Sequence, residues 1–467
     1  MKAPAEKDLS AALSSTPKAR RKAGDTSVIV LPRATLPTRS PRDWRAMQWL
    51  TLGIGIKRWA LIVLIGVAMA ALGTALSLAY VAVDLSLTVV DWVNRATNQL
   101  INTEVLGVVI LTGGVLLVAI GVRGTFRAVE RAYATSPNVN ADFLETALRR
   151  RKLEHSERVV AIGGGTGLST MLRGLKEYTS NITAVVTMAD DGGSSGMLRE
   201  HGMLPPGDLR NCIAALAEAE PLMTNLFQYR FQGLGPLKGH SVGNLIVAAM
   251  CEMTGDFESA VRETSKVLAI RGRVLPSTLE DVRLGAILED GTQILGQSAV
   301  NKADKIKQVF LQPEAPHALP DVVKAIAEAD VIIIGPGSLF TSIIPNLLVP
   351  EIAAAIKASQ APKIYVCNMM TQPNETADFK ASDHVKALVR HIGRDVISLV
   401  LMNNGTVHED VLARYRNAGA DYVEPDQDTV ALLGVRPILG NFMDATNVVR
   451  HNPQRLASAI FRIIARL

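Results

Sequence analysis

Three glycine-rich turns follow one another between residues 159 and 245, and they constrain the fold more than any other feature of the chain. The first is Gly163-Gly164-Gly165-Thr166-Gly167, behind the apolar run Val159-Val160-Ala161-Ile162. The second, Ala189-Asp190-Asp191-Gly192-Gly193-Ser194-Ser195-Gly196, follows a second β-branched run that begins near Ile182. The third is Gly239-His240-Ser241-Val242-Gly243-Asn244. A short β-branched run reads as a buried strand, and the glycines behind it as a tight loop at the edge of a sheet. Where such a loop opens a helix, its free backbone N–H groups and the helix dipole favour negative charge. A phosphate-bearing small molecule is the first ligand to suspect. The first loop lacks the lysine of a P-loop, and Leu168 takes the place of the last glycine in a dinucleotide fingerprint.

From residue 158 onward apolar strands alternate with amphipathic helices. Strands are expected at 158–162, 182–188, 331–334, 363–367 and 396–402, with helices at 167–178, 208–218, 241–255 and 321–329. Asp208 and Ser241 are the expected N-caps of two of these helices. Asp290-Gly291, flanked by 283–289 and 292–297, predicts a hairpin. The pattern is α/β: a Rossmann-like, doubly wound, mainly parallel sheet with a small inserted hairpin.

The net charge of +5 is unevenly spread. Residues 1–58 hold twelve Lys or Arg against four Asp or Glu and contribute +8, leaving the remainder near −3. No basic stripe with interleaved aromatics occurs in the body of the chain, which disfavours nucleic acid as a partner. The three cysteines have no paired spacing, so neither a disulfide framework nor a zinc site is expected. Residues 59–83 and 105–122 carry no charge and are each close to the length that crosses a hydrocarbon core of about 30 Å. Basic residues precede the first stretch, and Arg123, Arg127 and Arg131 follow the second. The positive-inside rule then places the tail and the large C-terminal part in the cytoplasm. The expected organisation is a disordered basic tail (1–58), a two-span transmembrane hairpin (59–122), a connector (123–156) and a Rossmann-like domain (157–467), anchored in the inner, cytoplasmic membrane. Neither span contains an ionisable residue, so they read as an anchor and not as a transport path.

Several polar loops converge on one sheet edge in this reading. Asp190 and Asp191 can share a divalent cation, grip a ribose hydroxyl, act as a base, or merely cap a turn. Gly192, Gly193, Ser194 and Ser195 add backbone and hydroxyl donors. Arg210 can neutralise a phosphate, and its neighbour Asn211 is a polar candidate; on spacing alone Arg210 is more often a surface charge. His240 and Asn244 stand four apart at a helix start, hence on one face. Gly335-Pro336-Gly337-Ser338 ends a later strand in another anion-ready turn, and Asn368 follows the next strand.

With Pro205-Pro206-Gly207-Asp208-Leu209-Arg210-Asn211 added, this array resembles the bacterial gluconeogenesis factor (YvcK-like) family, in order over about residues 157–450. That family lies within the superfamily of the 2-phospho-L-lactate transferase of coenzyme F420 synthesis. The two expected spans make this chain resemble a membrane-anchored variant. The resemblance implies a domain that binds a UDP-sugar, typically UDP-N-acetylglucosamine, and that links carbon metabolism to cell-wall precursor supply and cell shape, with protein partners in those processes. Enzymatic activity is not implied by the gluconeogenesis-factor branch. The transferase relatives imply the alternative, a Mg²⁺-dependent transferase acting on a nucleotide diphosphate derivative. Carried over, Asp190 and Asp191 become metal or diphosphate ligands. Gly163, Gly164, Gly165, Thr166 and Gly167 become nucleotide contacts, as do Gly335, Gly337 and Ser338. Asn211 and Asn244 become polar ligand contacts. The Gly-Gly-Ser-Ser continuation favours the gluconeogenesis-factor branch. No redox cofactor is expected, because the third fingerprint glycine and a hydride-relay acid are both missing.

Overall fold

A computed structural model describes residues 153–466, apart from 219, 220, 234, 395, 446 and 447, together with 29–30, 88, 91, 92 and 95. Residues Met1–Pro32 and Ala147–Leu467 form one compact unit, and Arg33–Thr146 another. In the second unit the described residues are Thr88, Asp91, Trp92 and Arg95, all helical, with an exposed Arg95–Asp91 ion pair. The two expected spans therefore lie outside the described residues. Among the described residues no single helix is long and apolar enough to cross a membrane.

In the first unit, β1 is the two-residue strand Ile29–Val30. The main body opens with β2 (Val159–Gly163), which passes through Gly164 into α1 (Gly165–Leu175). β3 (Ile182–Val186) leads to α2 (Gly193–Glu200), α3 (Gly207–Leu216) and α4 (Pro221–Gln228). The pair α5 (Val242–Thr254) and α6 (Phe257–Val267) precedes β4 (Arg273–Pro276). An insert follows, made of β5 (Arg283–Leu288), β6 (Gln293–Leu295), α7 (Gln297–Val300) and β7 (Ile306–Gln312). The chain returns through α8 (Pro320–Ala327) to β8 (Val331–Ile334). A π-helical stretch, Leu339–Ile343, continues into α9 (Ile344–Leu347) and α10 (Pro350–Ala358). β9 (Lys363–Val366), β10 (Leu399–Asn403) and β11 (Arg436–Gly440) alternate with α11 (Ala381–Ile392), α12 (Glu409–Asn417) and α13 (Gln427–Leu432). The ribbon of β12 (Met443–Ala445) and β13 (Val449–His451) precedes the last helix, α14 (Pro453–Ile464).

The main sheet has the order β1-β11-β10-β9-β8-β2-β3-β4, and every pairing in it is parallel. All residues of β2, β3, β8, β9 and β10 are buried. Strands buried at every residue need cover on both faces, which is why they read as continuous apolar runs without alternation. From β2 the chain winds outward through β3 and β4, then crosses back to β8 and winds the other way. The strand order thus reverses between β2 and β8, so the loops leaving these two neighbours splay apart and open a crevice at the carboxyl edge. Both loops are glycine-rich.

The Rossmann-like α/β class is as the sequence predicts, and several features differ. The insert is three-stranded, because β7 pairs with β5 on the side opposite β6. The sequence reading has no counterpart for β1, β4, β11 or the β12–β13 ribbon. Ser241 caps α5, its Oγ accepting from the Asn244 N–H at 3.2 Å, whereas Asp208 does not cap α3. It falls inside the first turn of α3, whose N-cap is Pro206, and its carboxylate turns toward the first glycine loop.

Candidate functional site

An open cavity of about 470 Å³ lies at the point where the strand order reverses. Gly164, Gly165, Thr166 and Gly167 line one side, and Pro336, Gly337, Ser338 and Ser342 another. Asn211, Asn368 and the ribbon residues Val449, Arg450 and His451 complete much of the rest. The backbone could not take this shape with side chains in place of the glycines. Gly165 has φ +64°, a left-handed conformation. A Cβ on Gly164 would stand 2.5 Å from an Asp208 carboxylate oxygen, and one on Gly167 would stand 2.5 Å from the Pro336 carbonyl. The two loops therefore touch backbone to backbone.

Polar side chains fix this floor. Asn346, fully buried on α9, donates to the Gly163 carbonyl at 3.0 Å and to the Ser342 carbonyl at 2.8 Å. Asn368 accepts from the Gly337 N–H at 3.3 Å and donates to the Gly337 carbonyl at 2.8 Å, so its amide clasps both main-chain polar groups of one residue. Glu375, 3% exposed, accepts from Ser338 Oγ and from the Phe340 N–H, both at 2.7 Å. Burial pushes the Glu375 carboxyl above its ordinary pKa, while these hydrogen bonds pull it down.

The cavity lining carries Arg173 and Arg450 and no carboxylate. Thr166, Thr170 and Arg173 stand at i, i+4 and i+7 on α1, which puts all three on the face turned to the cavity. Arg450 and His451 arrive by tertiary packing. α14 lies against α1, and Gly174 leaves no room for a Cβ beside the Pro453 carbonyl. That close approach carries β13 up to the glycine loop. Burial lowers the His451 pKa to about 4, so its ring is neutral at neutral pH.

A second polar cluster adjoins the first loop. Gly207 links its parts: its N–H donates to Ser195 Oγ at 3.1 Å, and a Cβ there would stand 2.8 Å from an Asp190 carboxylate oxygen. Asp190 also accepts from the Gly192 N–H at 3.0 Å. Part of Asp208 remains open to solvent, yet dense packing around its carboxyl raises the pKa from 3.8 to about 7, with the nearby Asp190 charge adding to the rise. A hydrogen bond from the Gly165 N–H and the charge of Arg210 oppose it. The buried Arg210 donates to Asn211 Oδ1 at 2.8 Å, while its Nε has no partner. Ser194 Oγ lies 3.1 Å from His240 Nδ1 and accepts from Asn244 Nδ2 at 3.0 Å. The shared face expected for His240 and Asn244 is thus the one that meets Ser194.

Asp191 points elsewhere. Its Oδ1 accepts from the Ser298 N–H at 2.8 Å and from Ser298 Oγ at 2.6 Å, and so ties the second loop to the insert at α7. The adjacent aspartates hence do not act as a twin pair. Asp190 faces Asp208, which the sequence reading treats only as a cap. Among the described residues no group of three or more His, Cys, Asp or Glu side chains is arranged to hold a metal ion. Asp190 and Asp208, beside the loop where phosphates would lie, are the pair that fits a Mg²⁺ ion, which takes one or two carboxylates and completes its shell with phosphate oxygens and water. The sequence candidates Gly164 to Gly167, Asn211, Gly337, Ser338 and Asn368 line the cavity, and Gly163 and Gly335 shape it from the strand ends. Asp190, Ser194, Ser195, Arg210 and Asn244 belong to the adjoining cluster, with Gly192 and Gly193 at its margin. Sequence reasoning missed Arg173, Gln228, Asn346, Arg450 and His451. The stripe of Thr166, Thr170 and Arg173 was a usable signal for the first of these.

Residues 159–443 match the family model described as 2-phospho-L-lactate transferase CofD. The gluconeogenesis factor of Bacillus subtilis is 47% identical over 310 residues, covering 66% of this chain and 98% of that protein. A Nostoc sp. protein provisionally given the same name is 48% identical over 420 residues, covering 89% of this chain and 92% of the relative. A crystal structure of a UPF0052-family protein from Bacillus halodurans superposes with a TM-score of 0.63 at 47% identity, covering 65% of this chain and 99% of that one. With the glycine loops, the α/β sheet and these likenesses in agreement, the chain belongs to the gluconeogenesis factor (YvcK-like) family, within the CofD-like superfamily.

Proposed function

We propose that this chain is a UDP-sugar-binding regulator, with UDP-N-acetylglucosamine as the reference ligand, tethered to the inner membrane by residues 59–83 and 105–122. In this role it couples carbon metabolism to the supply of cell-wall precursors, and hence to cell shape, through protein partners in those processes. The observation that carries the binding reading is the cavity lining: two backbone-walled glycine loops and two arginines, with no carboxylate. A diphosphate supplies the charge that such a lining lacks. The 470 Å³ of space suits a nucleotide-sized ligand. Calorimetric titration with UDP-N-acetylglucosamine, UDP and NADPH tests it. Saturable UDP-sugar binding that Arg450→Ala or Arg173→Ala weakens supports the reading; preference for NADPH, or no binding, ends it.

A second reading, transfer chemistry on a nucleotide diphosphate derivative, is favoured by the Asp190–Asp208 pair beside the first loop. Those two carboxylates would hold a Mg²⁺ ion, which supplies charge neutralisation at the phosphates. Arg210 would balance the cluster, and Ser194 and Ser195 would orient the bound molecule. Turnover of a nucleotide diphosphate derivative that requires Mg²⁺ and vanishes in Asp190→Asn would select this reading over pure binding.

A further inference from the structure

We infer that Arg210 is a positioning residue: it turns the Asn211 amide so that the cavity meets only its N–H donors, and these hold a phosphate oxygen of the bound diphosphate. The inference rests on the UDP-sugar reading and names one contact within it. Asp208 and Asn211 are part-exposed, while every other residue of α3 is buried. Three apart on a helix, the two share a face. Asp208 turns that face to the first glycine loop, and Asn211 lines the cavity one turn further on. The arginines of the cavity lining are Arg173 and Arg450. Arg210 lies behind Asn211 instead and donates to its Oδ1 at 2.8 Å.

The orientation of this amide is forced. A guanidinium has no acceptor, so the atom of Asn211 that faces it is the oxygen. Nδ2 points the other way, and no described residue accepts from it. Arg210 itself is held in place, because its stem fills the space that a side chain at Gly243 would take; a Cβ there would stand 2.8 Å from Arg210 Cδ. Arg210 is 8% exposed, yet its Nε has no partner. A carboxylate at 211 would accept from two guanidinium donors at once and neutralise the charge. Asparagine accepts from one and leaves Nε bare. It is the poorer partner for a buried arginine, but it keeps a donor for the cavity, whereas aspartate would set a negative charge against the ligand. The acceptor that meets Nδ2 lies beside the first glycine loop, where backbone N–H groups and a helix start favour an anion, so it is a phosphate oxygen.

Asn211→Asp in the full chain tests this, because stability and binding should move in opposite directions. The comparison is made with a chelator at pH 6, where Asp208, titrating at about 7, carries its proton and does not repel the new carboxylate. Without ligand the variant should melt a few degrees above the parent, while its affinity for UDP, measured by calorimetry, falls by roughly a hundredfold or more. Asn211→Ala should melt lower and lose about ten- to a hundredfold, equally for UDP and UDP-N-acetylglucosamine. Arg210→Gln keeps a donor for Oδ1 and should retain most of the affinity that Arg210→Met loses. Retained UDP affinity in Asn211→Asp, or melting no higher than the parent, overturns the inference. So do equal losses in Arg210→Gln and Arg210→Met, which would put the arginine's charge itself on the phosphate. A loss in Asn211→Ala confined to UDP-N-acetylglucosamine overturns it too, since the acceptor would then be on the sugar. A parent that fails to bind UDP ends the UDP-sugar reading instead, and the melting comparison, made without ligand, still decides how Arg210 and residue 211 pair.

Discussion

Asp208 shows how far one side chain's surroundings reset its chemistry. Its carboxyl titrates near 7 because packing penalises the charged form and Asp190 repels it. Folding therefore binds a proton between pH ~4 and ~7, and this contribution to stability is lost as pH rises through that window. Asp208→Asn should flatten this part of the stability–pH curve, as followed by thermal melts. The same group also reports on the ligand. A UDP-sugar has no group of its own titrating near 7, and its diphosphate would lie beside Asp208 at the first glycine loop. Without metal, affinity should fall as pH rises through about 7, and Asp208→Asn should abolish the trend. If Asp190 and Asp208 hold Mg²⁺ with the ligand, the trend with metal present reverses, because the cation needs the ionised carboxylate. Calorimetry at several pH values, with Mg²⁺ and with a chelator, reads the sign directly.

At the scale of elements, the first glycine loop and the insert make separate demands. Gly165→Val forces a β-branched residue into φ +64°, at a cost of about 1–3 kcal/mol. Space beside it is otherwise free, the nearest atom to a Cβ being Ser342 Oγ at 3.8 Å. The variant should fold, melt lower, and lose nucleotide binding because the side chain covers the N–H groups; retained affinity would reduce the loop to a connection. Asp191→Ala frees Ser298 and the start of α7. It should raise hydrogen exchange in β5, β6 and α7 while changing UDP-sugar affinity little, with or without Mg²⁺. These loops were legible in the sequence because most of their glycines answer a demand of the turn, either an unusual dihedral or a neighbour too close for a Cβ. Ser241 was legible for a similar reason, since a cap is decided within four residues. Arg450 and His451 were not, because they reach the cavity only through the packing of α14 on α1 at Gly174. Asp208 was misread because a position beside a proline-glycine pair suggests a cap, and only the fold brings Gly164 and Gly165 against it. The third strand of the insert escaped because β7 has a mixed pattern of burial and no turn signal ties it to β5.

For the molecule as a whole, among the described residues the site and the groups that fix it belong to the stretch from 159 onward. A fragment of residues 153–467 should therefore bind UDP-N-acetylglucosamine as tightly as the full chain does; a properly folded fragment with clearly weaker binding would place part of the site before residue 153. The two-sided construction of the cavity also says where its selectivity is open to change. Its floor is main chain, clasped from beneath by Asn346, Asn368 and Glu375 and closed to any Cβ at Gly164 and Gly167. Mutation there can break the site but cannot re-tune it. Gln228, Met370 and Gln372 stand at the wall on side chains that share none of those duties. A library confined to these three positions should yield variants that prefer other sugars on an unaltered diphosphate seat, and a library in the floor should yield only loss.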